Sequence, residues 1–187
     1  KINVCEKQCI EVISKKFKKI DVIISCLGSR NGTEKEAKEV ELDANLNLLK
    51  IANISGALQY ILLSAICVQK PRLRFQTAKL KFEETLMSSN INFTIIRPTA
   101  FFKSLSGQID RVKKGKSFIV FDGGYKVKFK PISANDLSVF ILNKMLAADS
   151  FKKIFVIGGP GPALTQRDQA EILFRVCSKP IRIRSVP

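Results

Sequence analysis

Apolar positions recur along the chain in two rhythms. Asp21–Leu27 (DVIISCL), Tyr60–Ser64 (YILLS) and Asn92–Arg97 (NFTIIR, stopped by Pro98) are short and almost continuously apolar, the form of strands covered on both faces in a parallel sheet. Between them the spacing changes to three and four. Cys9, Ile10, Ile13 and Phe17 share a helical face within Glu6–Phe17. Val40, Leu42, Leu46, Leu49, Ile51 and Ala52 do so within Lys35–Ser55, where Gly56 is placed as the C′ residue, and Phe75, Ala78, Lys79, Phe82 and Leu86 do so within Leu73–Met87. Alternating strands and helices at this spacing predict right-handed βαβ units and a doubly wound parallel α/β sheet. Ile2–Val4 is expected to be a strand stub, so the pattern is entered in mid-motif.

The texture changes after Pro98. Lys116–Phe121 and Lys126–Lys130 flank Asp122-Gly123-Gly124, which predicts a hairpin. Ser133 with Asp136, and Thr165 with Asp168, are spaced to cap two further helices, one running to about Ala147 and one to about Val176. Ile154–Ile157 is expected to be a strand and Ile181–Val186 an extended end. With 187 residues the expectation is one domain, 1–187, in which 1–100 form the sheet–helix core and 101–187 a smaller region.

Composition removes whole classes of chemistry. There is no histidine, which excludes Ser-His-Asp and Cys-His triads and His-ligated zinc. The five cysteines contain no C-x-x-C pair, so neither a disulfide framework nor a zinc knuckle is encoded and no metal is expected. The net charge of +16 is mostly lysine spread over the whole chain. A nucleic-acid role would rest on that charge alone, so nucleic acid is not counted among the partners. The longest apolar run, Tyr60–Val68, is about half the ~20 residues a membrane helix needs, and no targeting segment is expected.

A doubly wound sheet binds its ligand beyond the carboxyl ends of its strands. That directs attention to Ser25, Cys26 and Leu27, to Ser64, Ala65 and Ile66, and to the stretch from Pro98 to Phe102. No glycine fingerprint for a dinucleotide occurs. The sole G-x-G, Gly159-Pro160-Gly161, has no amide at Pro160 to offer a phosphate. If a dinucleotide domain is intended, its first βαβ unit is expected before Lys1. Phe75-Gln76-Thr77-Ala78-Lys79 holds the lysine of the Tyr-x-x-x-Lys pair of short-chain dehydrogenases without the phenol, and neither Tyr60 nor Tyr125 has a lysine four residues on. A carbonyl reductase of the usual kind is therefore not expected. Taken alone, Phe75 reads as a core residue and Lys79 as a solvated surface lysine.

Five ordered blocks point further. They are Leu63–Pro71 (LSAICVQKP), Phe75–Glu83 (FQTAKLKFE), Arg97–Leu105 (RPTAFFKSL), Lys130–Ser133 (KPIS) and Ile157–Gly161 (IGGPG) followed by Ala163-Leu164-Thr165. Together they resemble the divinyl chlorophyllide 8-vinyl reductases, which are atypical short-chain dehydrogenase-like proteins. The resemblance implies an NAD(P)-binding Rossmann-like fold lacking its N-terminal glycine-rich unit, with 101–187 on the substrate side. It implies NADPH-dependent reduction of a C=C bond in a chlorophyll-precursor tetrapyrrole, in the chloroplast. Lys79 would bind the nicotinamide ribose and relay a proton, and Ser64 would sit beside the nicotinamide. Pro98, Thr99 and Ala100 would border the nicotinamide ring, Ser25, Cys26 and Leu27 would contact the adenine side or ribose, and Phe101, Phe102 and Gln108 would line the pigment cavity. The Gly158–Gly161 turn is expected to be structural. The alternative is a non-catalytic subunit or assembly factor of a plastid pigment–protein complex.

Overall fold

Helix and strand alternate from the start of the described chain, residues 2–187 of a computed structural model. The order is α1 (Gln8–Lys16), β1 (Val22–Ser25), α2 (Glu34–Ala37), a π-helical stretch (Lys38–Asp43) running into α3 (Ala44–Ser55), β2 (Gln59–Leu63), α4 (Arg74–Met87) and β3 (Asn92–Pro98). There follow α5 (Ser106–Lys113), β4 (Phe118–Phe121), β5 (Lys128–Phe129), α6 (Ala134–Lys144), β6 (Lys153–Ile157), β7 (Leu164–Thr165), α7 (Gln166–Val176) and β8 (Ile183–Val186). The chain divides into two compact units, Lys1–Pro98 with Ser138–Val156, and Thr99–Leu137 with Ile157–Pro187.

In the first unit the sheet runs β1-β2-β3-β6. β1, β2 and β3 are parallel, with Val22 opposite Gln59 and Gln59 opposite Asn92, as the apolar runs predict. Tyr60, Ile61, Leu62, Ile95 and Ile96 are buried, and Leu49, Ile51, Ala52, Phe82 and Leu86 pack from the helices into the same core. Gly56 ends α3 at φ 66°, where the missing Cβ removes the left-handed penalty, and its amide bonds back to the carbonyls of Ala52 and Asn53. The strand stub expected at Ile2–Val4 is not formed. That segment is a turn leading into α1, held by Asn47, whose Nδ2 donates to the Val4 carbonyl at 3.0 Å.

The second unit corrects the expected hairpin. β4 pairs with β8 in parallel, Phe118 opposite Ile183, while β5 pairs with β7 antiparallel, Lys128 opposite Thr165. Asp122–Gly124 is a single 3₁₀ turn between them. The edge of β4 away from β8 is already satisfied. Gln108 accepts from the Ile119 amide and donates to its carbonyl, both at 3.1 Å, and Gln166 accepts from the Phe121 amide at 2.8 Å. Backbone groups two residues apart point to the same edge, so these glutamines occupy the positions a hairpin partner would need. Both predicted caps are present: Ser133 Oγ accepts from the Asp136 amide, and Thr165 with Asp168 closes a reciprocal box at the start of α7. Val112, Phe118, Val120, Ala170 and Phe174 form this unit's core. The turn after β6 is structural, as expected. A Cβ on Gly159 would lie 2.0 Å from the Pro131 carbonyl oxygen.

Candidate functional site

In-register parallel strands bring their carboxyl ends to one edge, so Ser25–Leu27, Leu63–Ser64 and Arg97–Pro98 emerge together in the first unit. Lys79, in the second turn of α4, reaches this edge from the helix side. Its Nζ donates to the carbonyls of Leu27 at 3.2 Å and Leu63 at 3.4 Å and lies 2.7 Å from Glu41 Oε2. The ammonium therefore sits between the tips of β1 and β2, buried, and is not the solvated lysine that the residue alone suggests. Glu41 is only 1% exposed, and its Oε1 accepts from the amide of Ser29 at 2.8 Å and from its hydroxyl at 2.9 Å. Two buried charges survive in such a place because each neutralises the other; Oε1 of Glu41 is hydrogen-bonded as well, while Oε2 has the ion pair with Lys79 and no hydrogen bond among the described residues.

A neutral polar network lies beside this pair. Asn45 Oδ1 accepts from Ser25 Oγ at 2.5 Å and from Tyr60 Oη at 2.9 Å, while its Nδ2 donates to the Glu41 carbonyl at 2.8 Å. Burial pushes the Tyr60 phenol well above its ordinary value, so Tyr60 is a neutral donor and not a base. Ser25 is buried with its hydroxyl committed to Asn45, whereas Cys26 is exposed and Leu27 half-buried. Desolvation raises the Cys26 thiol, and the Lys79 charge lowers it part of the way back. Ser64 is buried, with its amide bonded to the Ile96 carbonyl at 2.7 Å and its Oγ without a hydrogen-bond partner among the described residues. Pro98 is buried, its carbonyl accepting from the Ile66 amide. A second buried pair, Arg97 with Glu83, fastens β3 to α4 through two hydrogen bonds. Phe75, at the position of the absent phenol, is half-buried and lines a cleft of about 480 Å³ with Ser29, Arg30, Arg72 and Arg74. It is not a core residue.

The other predicted positions belong to the second unit. Thr99 donates its amide to the Ile157 carbonyl at 2.9 Å and its hydroxyl to the Lys130 carbonyl. The Ala100 carbonyl accepts from Ile132, and Phe101 bridges to Ile132. Ala100, Phe101 and Gln108 line a mostly apolar cavity of about 210 Å³ with Phe118, Phe129 and Pro131. Phe102 is 49% exposed and lies outside that lining. Both ends of the Gln108 amide are spent on β4, so it shapes the wall without offering a free polar group.

Glu41, Asn45 and Ser29 do not emerge from a search for apolar periodicity. The signal for the first two is the same helical face, since Glu41, Asn45, Leu49 and Ala52 are all buried at steps of four, four and three. A carboxylate within a π-helical segment and an amide just after it, at the start of a core-facing stripe, mark a polar end to that face.

Among the described residues no group of His, Cys, Asp or Glu is arranged to hold a metal ion, and no helix is long and apolar enough to cross a membrane. Solved structures share the fold. UDP-glucose 4-epimerase from Thermotoga maritima with UDP-glucose superposes on all of this chain and 71% of its own at a TM-score of 0.83 and 15% identity. WbmG from Bordetella bronchiseptica in complex with NAD and UDP gives 0.82 at 13% identity, over all of this chain and 66% of its own. Curated relatives are nearer in sequence. The chloroplastic divinyl chlorophyllide a 8-vinyl-reductase of Cucumis sativus is 47% identical over 173 residues, and that of Arabidopsis thaliana 45% over 174, each covering 90% of this chain. A more distant one, the photosystem II assembly factor Ycf39 of Guillardia theta, is 24% identical over 150 residues, 80% of this chain and 48% of its own. The chain spans about two fifths of the length of the two reductases, 41% and 42%. Residues 4–142 match the family described as NAD(P)H-binding, and with a parallel sheet whose strand tips converge on a buried lysine the chain belongs to that family.

Proposed function

We propose that this chain serves an NADPH-dependent reductase of the 8-vinyl group of divinyl chlorophyllide, acting in the chloroplast. The observation that carries the reading is Lys79: a buried ammonium at the carboxyl ends of β1 and β2, where a doubly wound sheet meets its ligand, in a chain 47% identical to a protein named for that reaction. The residues fit a nicotinamide nucleotide on a second count. Ser64 Oγ is buried at the tip of β2 without a partner among the described residues, and a buried hydroxyl is costly until something bonds it.

Bound, NADPH supplies the hydride. Lys79 holds the nicotinamide ribose by exchanging its two long carbonyl bonds for hydroxyl acceptors, and Ser64 donates toward the nicotinamide side. Cys26 and Leu27, exposed and half-buried just past the end of β1, contact the ribose or adenine side, while the buried Ser25 supports them through Asn45. Pro98, at the end of β3, borders the ring. Phe75 cannot give a proton, which suits hydride addition to a conjugated vinyl group, where charge delocalises into the macrocycle and no alkoxide needs protonating. In the second unit the cavity beside Phe101 and Gln108, at about 210 Å³, is below the ~300 Å³ usual for a whole ligand. It suits one edge of a flat tetrapyrrole, with Phe102 as an exposed apolar contact.

The test is turnover. The full-length protein mixed with divinyl chlorophyllide is expected to convert it to the ethyl product with NADPH and much more slowly with NADH. The second reading, a non-catalytic assembly factor of a pigment–protein complex, has the Ycf39 relative behind it. Absence of both turnover and NADPH fluorescence change on mixing would replace the reductase reading with that one.

A further inference from the structure

A lysine is a compact charge on a flexible four-carbon stem with rotatable donors, so something has to fix where the Lys79 ammonium points. The bonds to the Leu27 and Leu63 carbonyls, at 3.2 and 3.4 Å, are longer than the usual ~2.9–3.0 Å for N–H···O. The contact with Glu41 Oε2, at 2.7 Å, is the short anchor: an ion pair whose angles fall outside hydrogen-bond geometry, so it holds the ammonium by charge and distance.

Glu41 is itself immobilised. Its second oxygen takes both donors of Ser29, a residue of the loop that leaves β1, and the Glu41 main-chain carbonyl accepts from Asn45. A carboxylate 1% exposed is a poor source of net fold stability, since an apolar pair of the same volume commonly does as well. The same contacts make sense as a brace: a ligand hydroxyl arriving at the strand tips displaces the long carbonyl bonds while the short one keeps the ammonium in place. Ser29 extends that brace into the loop after β1.

We propose that Glu41 is a positioning residue for the nucleotide site, acting through Lys79 and set in turn by Ser29. The assignment rests on the reading of Lys79 as the ribose-binding group.

The experiment is a cycle of NADPH affinities, measured by nucleotide fluorescence in the full-length protein, with melting temperatures taken alongside. Glu41→Gln keeps the shape and one acceptor but loses the charge, and is expected to weaken NADPH binding by about tenfold, since the ion pair that holds the ammonium is gone. Lys79→Met weakens it at least as much and lowers the melting temperature, because Glu41 is left as an unpaired buried carboxylate. Adding Glu41→Gln to Lys79→Met is expected to change affinity no further and to recover part of the melting temperature, the non-additivity of two residues that act as one. Ser29→Ala, in a surface loop and harmless to the fold, is expected to weaken NADPH binding several-fold. Wild-type affinity in Glu41→Gln, or an additional loss when it is combined with Lys79→Met, overturns the assignment and leaves the reductase reading standing. A wild-type protein that binds no NADPH removes the reductase reading and the brace with it.

Discussion

Asn45 is the hub on which the buried polar network of the first unit depends, and replacing it separates a hub from a spoke. Tyr60→Phe removes one hydroxyl and leaves Asn45 Oδ1 still bonded to Ser25 at 2.5 Å. The expected cost is the ordinary net worth of one hydrogen bond, about 1 kcal/mol. Asn45→Leu keeps much of the volume but strands the hydroxyls of Ser25, 2% exposed, and Tyr60, fully buried. Each buried group left without a partner costs about 1–3 kcal/mol, so the pair predicts a loss of about 2–6 kcal/mol. The triple variant Ser25→Ala, Asn45→Leu, Tyr60→Phe removes the stranded groups as well and is expected to regain much of that loss, since deleting both partners of a bond is far cheaper than deleting one. Urea unfolding followed by far-ultraviolet circular dichroism gives all three values. If Asn45→Leu costs no more than Tyr60→Phe, or if the triple variant is less stable than Asn45→Leu, the network does not carry the load the distances assign to it.

Gly159→Ala is expected to lower the melting temperature markedly, because its Cβ would sit 2.0 Å from the Pro131 carbonyl oxygen, whereas Gly107→Ala, in α5 with open space around it, is expected to be neutral or to stabilise by about 0.5–1 kcal/mol; equal melting temperatures for the two variants would refute the close approach. Acid titration carries a sign. The backbone amides of Arg30 and Asn31 hold the Glu36 carboxyl below its ordinary value, Lys144 does so for Asp149, and the amide and hydroxyl of Thr165 do so for Asp168. Groups depressed in the folded state add stability that is complete above the ordinary carboxylate range of about 4 and is lost as the pH falls below it. Stability is therefore expected to fall as pH is lowered through that range, and Asp168→Asn to fall less steeply; a wild-type stability flat between pH 5 and 3 would contradict this.

The parts of the fold that are legible in the sequence are those decided by local pattern. β1, β2 and β3 come from apolar runs, α4 from its three-and-four spacing, and the starts of α6 and α7 from Ser133 and Thr165, whose side chains reach amides only three residues away. The hairpin misleads for a related reason. Asp122-Gly123-Gly124 has turn chemistry and does turn, but what β4 pairs with depends on Ile183–Val186, more than sixty residues on, and on Gln108 and Gln166 filling the other edge. Nothing local encodes those partners. Ile2–Val4 has the composition of a strand but no partner among the described residues, and a lone strand of that length is not stable.

Lys79 was visible by its spacing from Phe75, but its state was not. Spacing puts a lysine on a helix face; whether that face is wet depends on what the neighbouring helix brings to it. Here the neighbour brings Glu41, one turn before Asn45, on a stripe that continues into Leu49 and Ala52. Counting apolar residues alone finds Leu42, Leu49, Ile51 and Ala52, which are buried, together with Val40 and Leu46, which are only half-buried, and passes over Glu41 and Asn45. The buried polar positions extend the inward face beyond what the apolar ones mark, because a carboxylate and an amide enter a core only where partners await them. A Glu followed four residues later by Asn, in line with the buried apolar positions of a helix that feeds a parallel strand, is thus evidence that the helix end lies over a strand tip. That inference needs no fingerprint glycine, and in this chain it leads from Glu41 to Lys79 directly.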